Sequence, residues 1–434
     1  MRTDFDTIVV DYQESPLPSL VRRNIVVPKA PGHALVVIGM RRTGKTWFCF
    51  QIIQDLLDSG VLREQILYCN FEDERLLNFT VDDFSRLIDA FFRRNPASID
   101  KEVYFIFDEI QQVEFWPNFI RRILDQGRAN IIITGSSAKM LSTEIHSTLR
   151  GRSIACEVFP FSFQEFVKAK GDGLPEKALS SKKRALLDAL NDEYMTTGGF
   201  PGLLGMTSSV RRQMLQQYVD VVILRDVIER HGVTSVAPLR AFVRHILHAP
   251  GTRLSINKLY NDFKSRGLKC SKNSLHEYLE YLQDAYLLYS VPVYTRRERV
   301  RQVNPKKIYM VDTGLLSAAS VDITKDLGAL LENLVYLVLR RKRYIIEYFM
   351  DSNGFEVDFI ARDPLSGAVV HVVQVSLSIA VAKTRAREER ALLSCLRELD
   401  VPEGIIVTWR DESSVERDPS IKIVPFYAFG AHIT

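Results

Sequence analysis

The sequence has few cysteines and no pattern that would use them together. Five cysteines are scattered over 434 residues and form no CxxC pair. A disulfide framework needs cysteines that are numerous and regularly spaced. The sequence therefore predicts reduced thiols and a cytoplasmic protein.

Long apolar runs and a strong net charge are also missing. No stretch reaches the roughly 18 consecutive apolar residues of a membrane-spanning helix. The first residues carry Asp and Glu where a signal peptide would need an apolar run. A net charge of +4, with 46% hydrophobic and 25% charged residues, is ordinary for a globular protein. We expect no membrane contact and about three or more domains.

The strongest pattern lies in residues 33–46, where an apolar run leads into an eight-residue loop. Residues 39–46, GMRRTGKT, fit G-x-x-x-x-G-K-[ST], and an apolar helix follows. The two glycines let backbone N–H groups surround phosphates, and the helix N-terminus, the lysine and the threonine complete an anion and magnesium site. We expect the nucleotide to contact the following residues: Gly39, Arg41, Arg42, Thr43, Gly44, Lys45, Thr46 and Trp47.

A second pattern, VYFIFDE, places two carboxylates at the end of a buried strand. In an open α/β sheet the carboxyl ends of the strands are where ligands bind. The pattern predicts that Asp108, with Thr46, holds Mg²⁺ and that Glu109 orients and deprotonates the attacking water. The alternative is a strand that ends in two solvated acids.

Two polar segments follow the next apolar strand, residues 130–133. In TGSS, Thr134, Ser136 or Ser137 is expected to reach the γ-phosphate or the water. In LRGR, Arg150 and Arg152 are candidates for neutralising charge on the phosphoryl group. The alternative for each arginine is a solvated or DNA-facing position.

Residues 236–312 are predicted to contain three helices and then two strands joined by a basic hairpin. They hold 14 Lys and Arg against 6 Asp and Glu, although the whole chain has a net charge of only +4. That order is typical of a winged helix, and a local basic excess is typical of nucleic-acid binding. The expected DNA contacts are Lys269, Lys272, Arg296, Arg297, Arg299 and Arg301. A protein-docking role is the alternative.

These motifs, with YCNFEDERL, FPFSFQEF and GGFP, occur in one order along nearly the whole chain. The set resembles the bacterial and archaeal AAA-type, STAND-like P-loop ATPases that carry a helical lid, a winged helix and a C-terminal nuclease-like domain. The resemblance implies that Gly199 and Pro201 lie near the adenine. It also implies that Asn70 gates Glu109, and that Arg152 approaches the phosphates, either within its subunit or across a subunit contact.

The C-terminal segment resembles the restriction-endonuclease fold, whose metal site takes an acid from a helix, an Asp from a hairpin and an E-x-K from the third strand. Glu332 and Asp358 match the first two positions, but the third contains Gln374 and Ser376. An amide is a weak metal ligand and a serine lacks the charge of the lysine. We therefore expect a degenerate site without nuclease activity.

The predicted fold is multi-domain α/β. It has a doubly wound P-loop core (1–162), a helical lid (163–235), a winged helix (236–316) and a nuclease-like domain (317–434). The predicted function is Mg-dependent ATP binding and hydrolysis that controls the C-terminal modules on or near DNA. The expected partners are ATP or ADP, double-stranded DNA, and a second copy or another protein. A slowly hydrolysing, nucleotide-gated DNA-binding or docking switch is the alternative, and an active nuclease is the third.

Overall fold

A computed structural model describes residues 4–28, 30–135, 149, 151–171, 180–320, 326–351, 354–412 and 414–433. The chain divides into two compact units. The first takes in residues up to 160 with 284–286, and the second takes in 161–283 and 287 onwards. Within the described ranges, no helix is long and apolar enough to cross a bilayer.

The first unit is built on a parallel sheet of five short strands. They are β1 (Ala34–Ile38), β2 (Ile66–Asn70), β3 (Val103–Asp108), β4 (Ala129–Thr134) and β5 (Ser153–Glu157). Their order is β2-β3-β4-β1-β5, and every residue of β1 is buried. Such continuous burial is expected of a parallel strand with helices on both faces of the sheet.

The described helices of the first unit are α1 (Phe5–Glu14), α2 (Lys45–Asp58), α3 (Asp83–Arg94) and α4 (Trp116–Gln126). Helix α2 starts directly after β1 and its loop. Its buried Phe48, Ile52 and Ile53 pack in one cluster with Leu35 and Val37 of β1. This packing holds the start of α2 at the carboxyl end of β1.

The second unit begins with helices α5 (Phe163–Ala169), α6 (Ser181–Thr197) and α7 (Ser208–Val221), and α7 continues as a π-helix over Val222–Glu229. The FPFSFQEF motif forms the start of α5. The Ser162 hydroxyl accepts the backbone N–H of Glu165, and the Glu165 carboxylate accepts the N–H of Ser162. This reciprocal capping box fixes the start of α5.

The next segment holds helices and a three-stranded antiparallel sheet. Its elements are α8 (Val236–Leu247), β6 (Arg253–Leu254), α9 (Ile256–Ser265), α10 (Lys272–Asp284), β7 (Leu288–Val291), α11 (Glu298–Val303) and β8 (Lys306–Met310). The strand order is β6-β8-β7. The two predicted strands are present as β7 and β8, which pair antiparallel, but the basic segment between them contains α11 and is not a simple hairpin turn. The sequence of α11, ERVRQV, contains no glycine or proline to interrupt a helical turn.

The last segment is a mixed sheet with helices. Its elements are α12 (Thr313–Ala319), α13 (Leu327–Arg341), β9 (Ile345–Met350), β10 (Glu356–Arg362), β11 (Val369–Ser376), α14 (Ala382–Leu399), β12 (Gly404–Thr408), β13 (Ile421–Pro425) and α15 (Phe426–His432). The order is β13-β12-β11-β10-β9. Strands β9 to β11 are antiparallel, and β11 to β13 are parallel.

Three glycines allow the GGFP turn to lie against the loop before α12. A Cβ added at Gly198, whose φ is +70°, would overlap the Asp312 carboxylate, and one added at Gly314 would overlap the carbonyl oxygen of Thr197. The Gly199 N–H donates to Asp312 Oδ2 at 2.7 Å. The turn and the Asp312 loop are therefore in direct backbone contact.

Gly198→Ala is expected to lower the free energy of unfolding by about 3 kcal/mol, because overlap with Asp312 adds to the strain of a positive φ. Gly205→Ala is the matched control, since Gly205 has a φ of +76° and no heavy atom near the added Cβ. It should cost about 1 kcal/mol. Urea denaturation followed by circular dichroism measures both, and equal losses would show that the contact with Asp312 contributes nothing.

Candidate functional site

The glycines of the phosphate loop are required by the path of the backbone. Gly39 has a φ of +141°, and a Cβ there would overlap the carbonyl oxygen of Val158. Gly44 has a φ of +96° and stands directly before α2. Arg42 also adopts a left-handed conformation, with a φ of +68°. The loop thus turns sharply between β1 and the N-terminus of α2.

The Lys45 ammonium lies inside this loop. It is buried and donates to the carbonyl oxygens of Gly39 at 3.2 Å and Met40 at 3.3 Å. It also lies 3.8 Å from Glu109 Oε1. The Thr43 hydroxyl donates to the same Met40 carbonyl at 3.0 Å, which tightens the turn. The cation is therefore positioned by the loop backbone before any phosphate arrives.

Asp108 ends β3 and is fully buried. Tyr68 donates a hydrogen bond to its Oδ2 at 2.9 Å, and Thr134 donates to its Oδ1. Burial dominates and raises the pKa of Asp108, and the hydroxyls of Thr134, Thr46 and Tyr68 oppose that rise. These hydroxyls favour the ionised form that a magnesium ligand needs, against the effect of burial.

Glu109 follows in a left-handed conformation with a φ of +54°. The Gln111 amide donates to its Oε2, and the Lys45 ammonium faces its Oε1. Its backbone N–H donates to the Thr134 hydroxyl at 2.9 Å. The Gln111 amide and the Lys45 ammonium therefore restrain the Glu109 carboxylate.

The remaining predicted residues of the first unit have varied positions. Thr46 is half-buried, and Arg42 and Trp47 are exposed at the loop. Asn70 accepts the N–H of Glu72 at 2.9 Å, so its side-chain oxygen caps its own turn. Ser136 and Arg150 lie outside the described residues.

Arg152 lies at the amino ends of the strands, opposite the ends that carry the phosphate loop. Its carbonyl accepts the N–H of Ala34, the first residue of β1, and its guanidinium pairs with Asp125 at 2.7 Å. Strands β1 and β5 are parallel, so this is the amino edge of the sheet, whereas the phosphate loop follows the carboxyl end of β1. In this structure Arg152 is therefore directed away from its own phosphate loop, and its approach to the phosphates, within its subunit or across a subunit contact, stays a prediction.

In the second unit, Gly199 and Pro201 are in the turn held by Asp312. Two backbone N–H groups, of Gly199 and Gly314, donate to the Asp312 carboxylate at 2.7 and 2.8 Å. Burial raises the pKa of Asp312 to about 7, against the effect of these hydrogen bonds. Proximity of Gly199 and Pro201 to an adenine stays a prediction.

The predicted DNA-contacting residues fall into two groups. Arg301 is not available as predicted, because its guanidinium pairs at 2.6 Å with Glu347, whose side chain is buried. The other five are exposed: Lys269, Lys272, Arg296, Arg297 and Arg299.

The predicted nuclease residues come together in part. Glu332 and Asp358 both accept hydrogen bonds from the Lys307 ammonium at 2.9 Å. Gln374 accepts the N–H of Asp358 at 3.3 Å and donates to Glu388 at 2.8 Å. Among the described residues, no group of three side chains suited to hold a metal ion is found.

The contacts of Tyr68 with Asp108 and of Gln111 with Glu109 were not predicted from the sequence. Asn70 pairs with Asp108 in the parallel register, so the twofold period of a strand places Tyr68 on the same face as Asn70. Gln111 is two residues from Glu109, in a short turn whose shape depends on the left-handed Glu109. The proximity of Tyr68 to Asp108 can be predicted only when the register of β2 and β3 is known.

Two family models match the chain. One, described as an AAA domain, matches residues 31–167 and so includes the phosphate loop and both acidic residues. A domain of unknown function matches residues 188–326. Together with the parallel sheet, the first match supports a P-loop fold of the AAA type for this region.

Two relatives extend the match over the rest of the chain. An uncharacterized protein of Methanocaldococcus jannaschii is 32% identical over 435 residues, which cover 98% of this chain and 94% of that protein. An uncharacterized protein of Haemophilus influenzae is 32% identical over 329 residues, 75% of this chain and 79% of that protein. The chain belongs to the family of these two proteins.

Some solved structures are similar at a lower level. A Walker-type ATPase of Pyrococcus abyssi has a TM-score of 0.39 at 14% identity, covering 66% of this chain and 90% of its own. The Orc1 protein of Aeropyrum pernix, solved in complex with DNA, has a TM-score of 0.28 at 14% identity, with 69% and 88% covered. TM-scores this low support no inference about this chain.

Tyr68→Phe is expected to shift the acid side of Mg-ATP binding to higher pH by about one unit. The Tyr68 hydroxyl lowers the pKa of Asp108, so its removal raises that pKa and ionisation then requires a higher pH. Calorimetric titrations from about pH 5 to 8 measure the shift. Tyr104→Phe, on the neighbouring strand and beside Glu102, is the control, and unchanged pH profiles would contradict a role for Tyr68.

Proposed function

We propose that the first unit binds Mg-ATP and hydrolyses it. The observation that carries this proposal is the meeting of a loop-held ammonium with two adjacent carboxylates. Lys45 Nζ lies 3.8 Å from Glu109, and Asp108 accepts hydrogen bonds from hydroxyl groups of β2 and β4. This combination of cation, metal ligand and water-activating acid is what phosphoryl transfer to water requires.

The roles of the residues follow from their chemistry. The N–H groups of loop 39–44 and the Lys45 ammonium bind the phosphates. Thr46 and Asp108 would hold Mg²⁺, which neutralises charge on the phosphate oxygens. Glu109 accepts the proton of the attacking water. Trp47 and the pair Arg41 and Arg42 contact the nucleotide outside this centre.

Nucleotide binding is proposed to rearrange the contacts of Glu109. Phosphate oxygens compete with Glu109 for the Lys45 ammonium, because both are anionic acceptors. Release of Lys45 leaves Glu109 with Gln111 as a hydrogen-bond partner. We propose that Gln111, rather than Asn70, restrains Glu109 before catalysis.

Lys45→Ala is expected to abolish the ATP-induced rise in melting temperature, because the phosphates lose their cation. Glu109→Gln is expected to retain that rise but to lower turnover by about 100-fold or more, since an amide cannot accept the proton. Thermal melting with Mg-ATP and phosphate release measure the two effects.

The exposed Lys101 and Glu114 provide matched controls. Lys101→Ala and Glu114→Gln should leave binding and turnover unchanged. Full turnover in Glu109→Gln would remove Glu109 from the mechanism.

We propose that residues 236–316 form a winged helix that binds the DNA backbone. The order of α8, β6, α9, α10, β7 and β8, with the antiparallel sheet β6-β8-β7, supports this assignment. Arg296 and Arg297 precede α11, Arg299 lies in its first turn, and all three are exposed. Protein docking is the alternative function of this surface.

Reversing the charge at Arg296, Arg297 and Arg299 is expected to weaken duplex binding at low salt and to reduce its salt slope by roughly three. Fluorescence anisotropy over a salt series measures both quantities. Reversal at Lys182, Lys183 and Lys383, which are also exposed, is the control. Absence of salt-dependent binding in the unaltered protein would favour docking.

We further propose that Arg152 acts on the nucleotide of a neighbouring copy. Its place at the amino edge of the sheet, paired with Asp125, supports an action outside its own subunit. The C-terminal segment is proposed to be a restriction-endonuclease-like fold that does not cut DNA. Gln374 in place of a carboxylate supports this.

A further inference from the structure

A lysine from the three-stranded sheet reaches the carboxylates of the C-terminal sheet. Lys307 is the second residue of β8, and only 3% of its side chain is exposed. Its ammonium lies 2.9 Å from Glu332 Oε1, 2.7 Å from Glu356 Oε1 and 2.9 Å from Asp358 Oδ1. An ammonium has three N–H donors, so three acceptors at these distances use all of them.

The carboxylates come from two further elements. Glu332 is on α13, and Glu356 and Asp358 are alternate residues of β10, which places them on one face. Lys307 thus joins β8 to a helix and to a second sheet. All of these residues belong to the second unit.

Each carboxylate has a second contact. The Tyr309 hydroxyl donates to Glu332 Oε1 at 2.6 Å, and the Val375 N–H donates to Asp358 Oδ2 at 2.9 Å. The Arg253 guanidinium lies 3.6 Å from Glu356 Oε2. The three oxygens are therefore directed at one point by contacts that do not involve Lys307.

The Lys307 ammonium compensates part of the negative charge of the three carboxylates. Burial lowers the pKa of Lys307, but the carboxylates of Asp358, Glu332 and Glu356 raise it by more, so the side chain stays charged. Burial and the neighbouring Asp358 raise the pKa of Glu332 to about 7. Even with Lys307 in place, the carboxylates outnumber the ammonium by three to one.

Oxygen atoms that converge on one point also characterise a divalent cation site. The distances here are those of N–H···O hydrogen bonds, whereas metal–oxygen distances are shorter, about 2.0–2.6 Å. A restriction-endonuclease-like fold implies a metal at Glu332 and Asp358, but the same oxygens already hold Lys307. The residues present therefore do not fit a metal while Lys307 stays in place.

We propose that Lys307 is the resident cation of this cluster. It takes the position of a divalent ion, excludes metal from Glu332, Glu356 and Asp358, and joins β8 to α13 and β10. The cluster then serves to hold the three-stranded sheet to the C-terminal sheet. This proposal stands whether or not the first unit hydrolyses ATP.

The test compares Lys307→Ala with Lys306→Ala in the full-length protein, without nucleotide. Lys306 is the adjacent, half-buried residue of β8 and is the matched control. Lys307→Ala should lower the melting temperature by about 10 °C, because a buried ion pair loses one partner. Mn²⁺ should restore part of this loss, and should change neither the unaltered protein nor Lys306→Ala.

Two outcomes of the melting experiment would overturn the proposal. One is a Lys307→Ala protein as stable as the unaltered chain. The other is a destabilised variant that Mn²⁺ does not rescue, since the carboxylates would then not form a cation site. Rescue must also disappear in Lys307→Ala with Asp358→Asn.

A second measurement does not depend on the folding of the lysine variant. Electron paramagnetic resonance counts the bound Mn²⁺ ions in the unaltered protein and in Asp358→Asn. Equal counts are expected, because Lys307 already excludes the metal. One ion fewer in Asp358→Asn would show a metal at the cluster and would overturn the proposal.

Discussion

The contact between the Lys45 ammonium and the carbonyl groups of its own loop is the interaction on which the first unit depends. It places a buried cation at the carboxyl end of β1 without a ligand. The cost of burying this charge is offset by the loop carbonyls and by Glu109 at 3.8 Å. The glycines at 39 and 44 make the loop tight enough for these contacts. The acidic end of β3 then completes a site in which Lys45 faces Glu109 and two hydroxyl groups donate to Asp108.

In the second unit, two buried ionisable side chains link segments that are distant in sequence. Asp312 binds the backbone of the GGFP turn, and Lys307 binds carboxylates of α13 and β10. Both connections use a group that is expensive to bury and therefore strongly favour one arrangement. Helices α5 to α7, the three-stranded sheet and the C-terminal sheet belong to a single compact unit.

The sequence predicted the parts of the site that depend on local order. The phosphate loop between a strand and a helix, and Asp108 and Glu109 at the end of an apolar strand, need only neighbouring residues to be recognised. Tyr68 depends on the pairing of β2 with β3, and Lys307 depends on how two sheets pack. Neither relation is encoded in a short window. The basic segment before β8 was misassigned because charge does not distinguish a hairpin from the short helix α11.

The burial of Lys307 distinguishes its ion pairs from the charges of the exposed basic residues, because salt screens the two to different extents. Salt screens exposed charges over about 10 Å at 0.1 M, but it screens buried pairs much less. Arg296, Arg297 and Arg299 are exposed to that screening, while an ammonium with 3% of its side chain exposed is largely protected from it. Raising the ionic strength therefore weakens any contact made by the basic surface and leaves the interior of the second unit intact. Salt would therefore release any polyanion bound to that surface without loosening the fold.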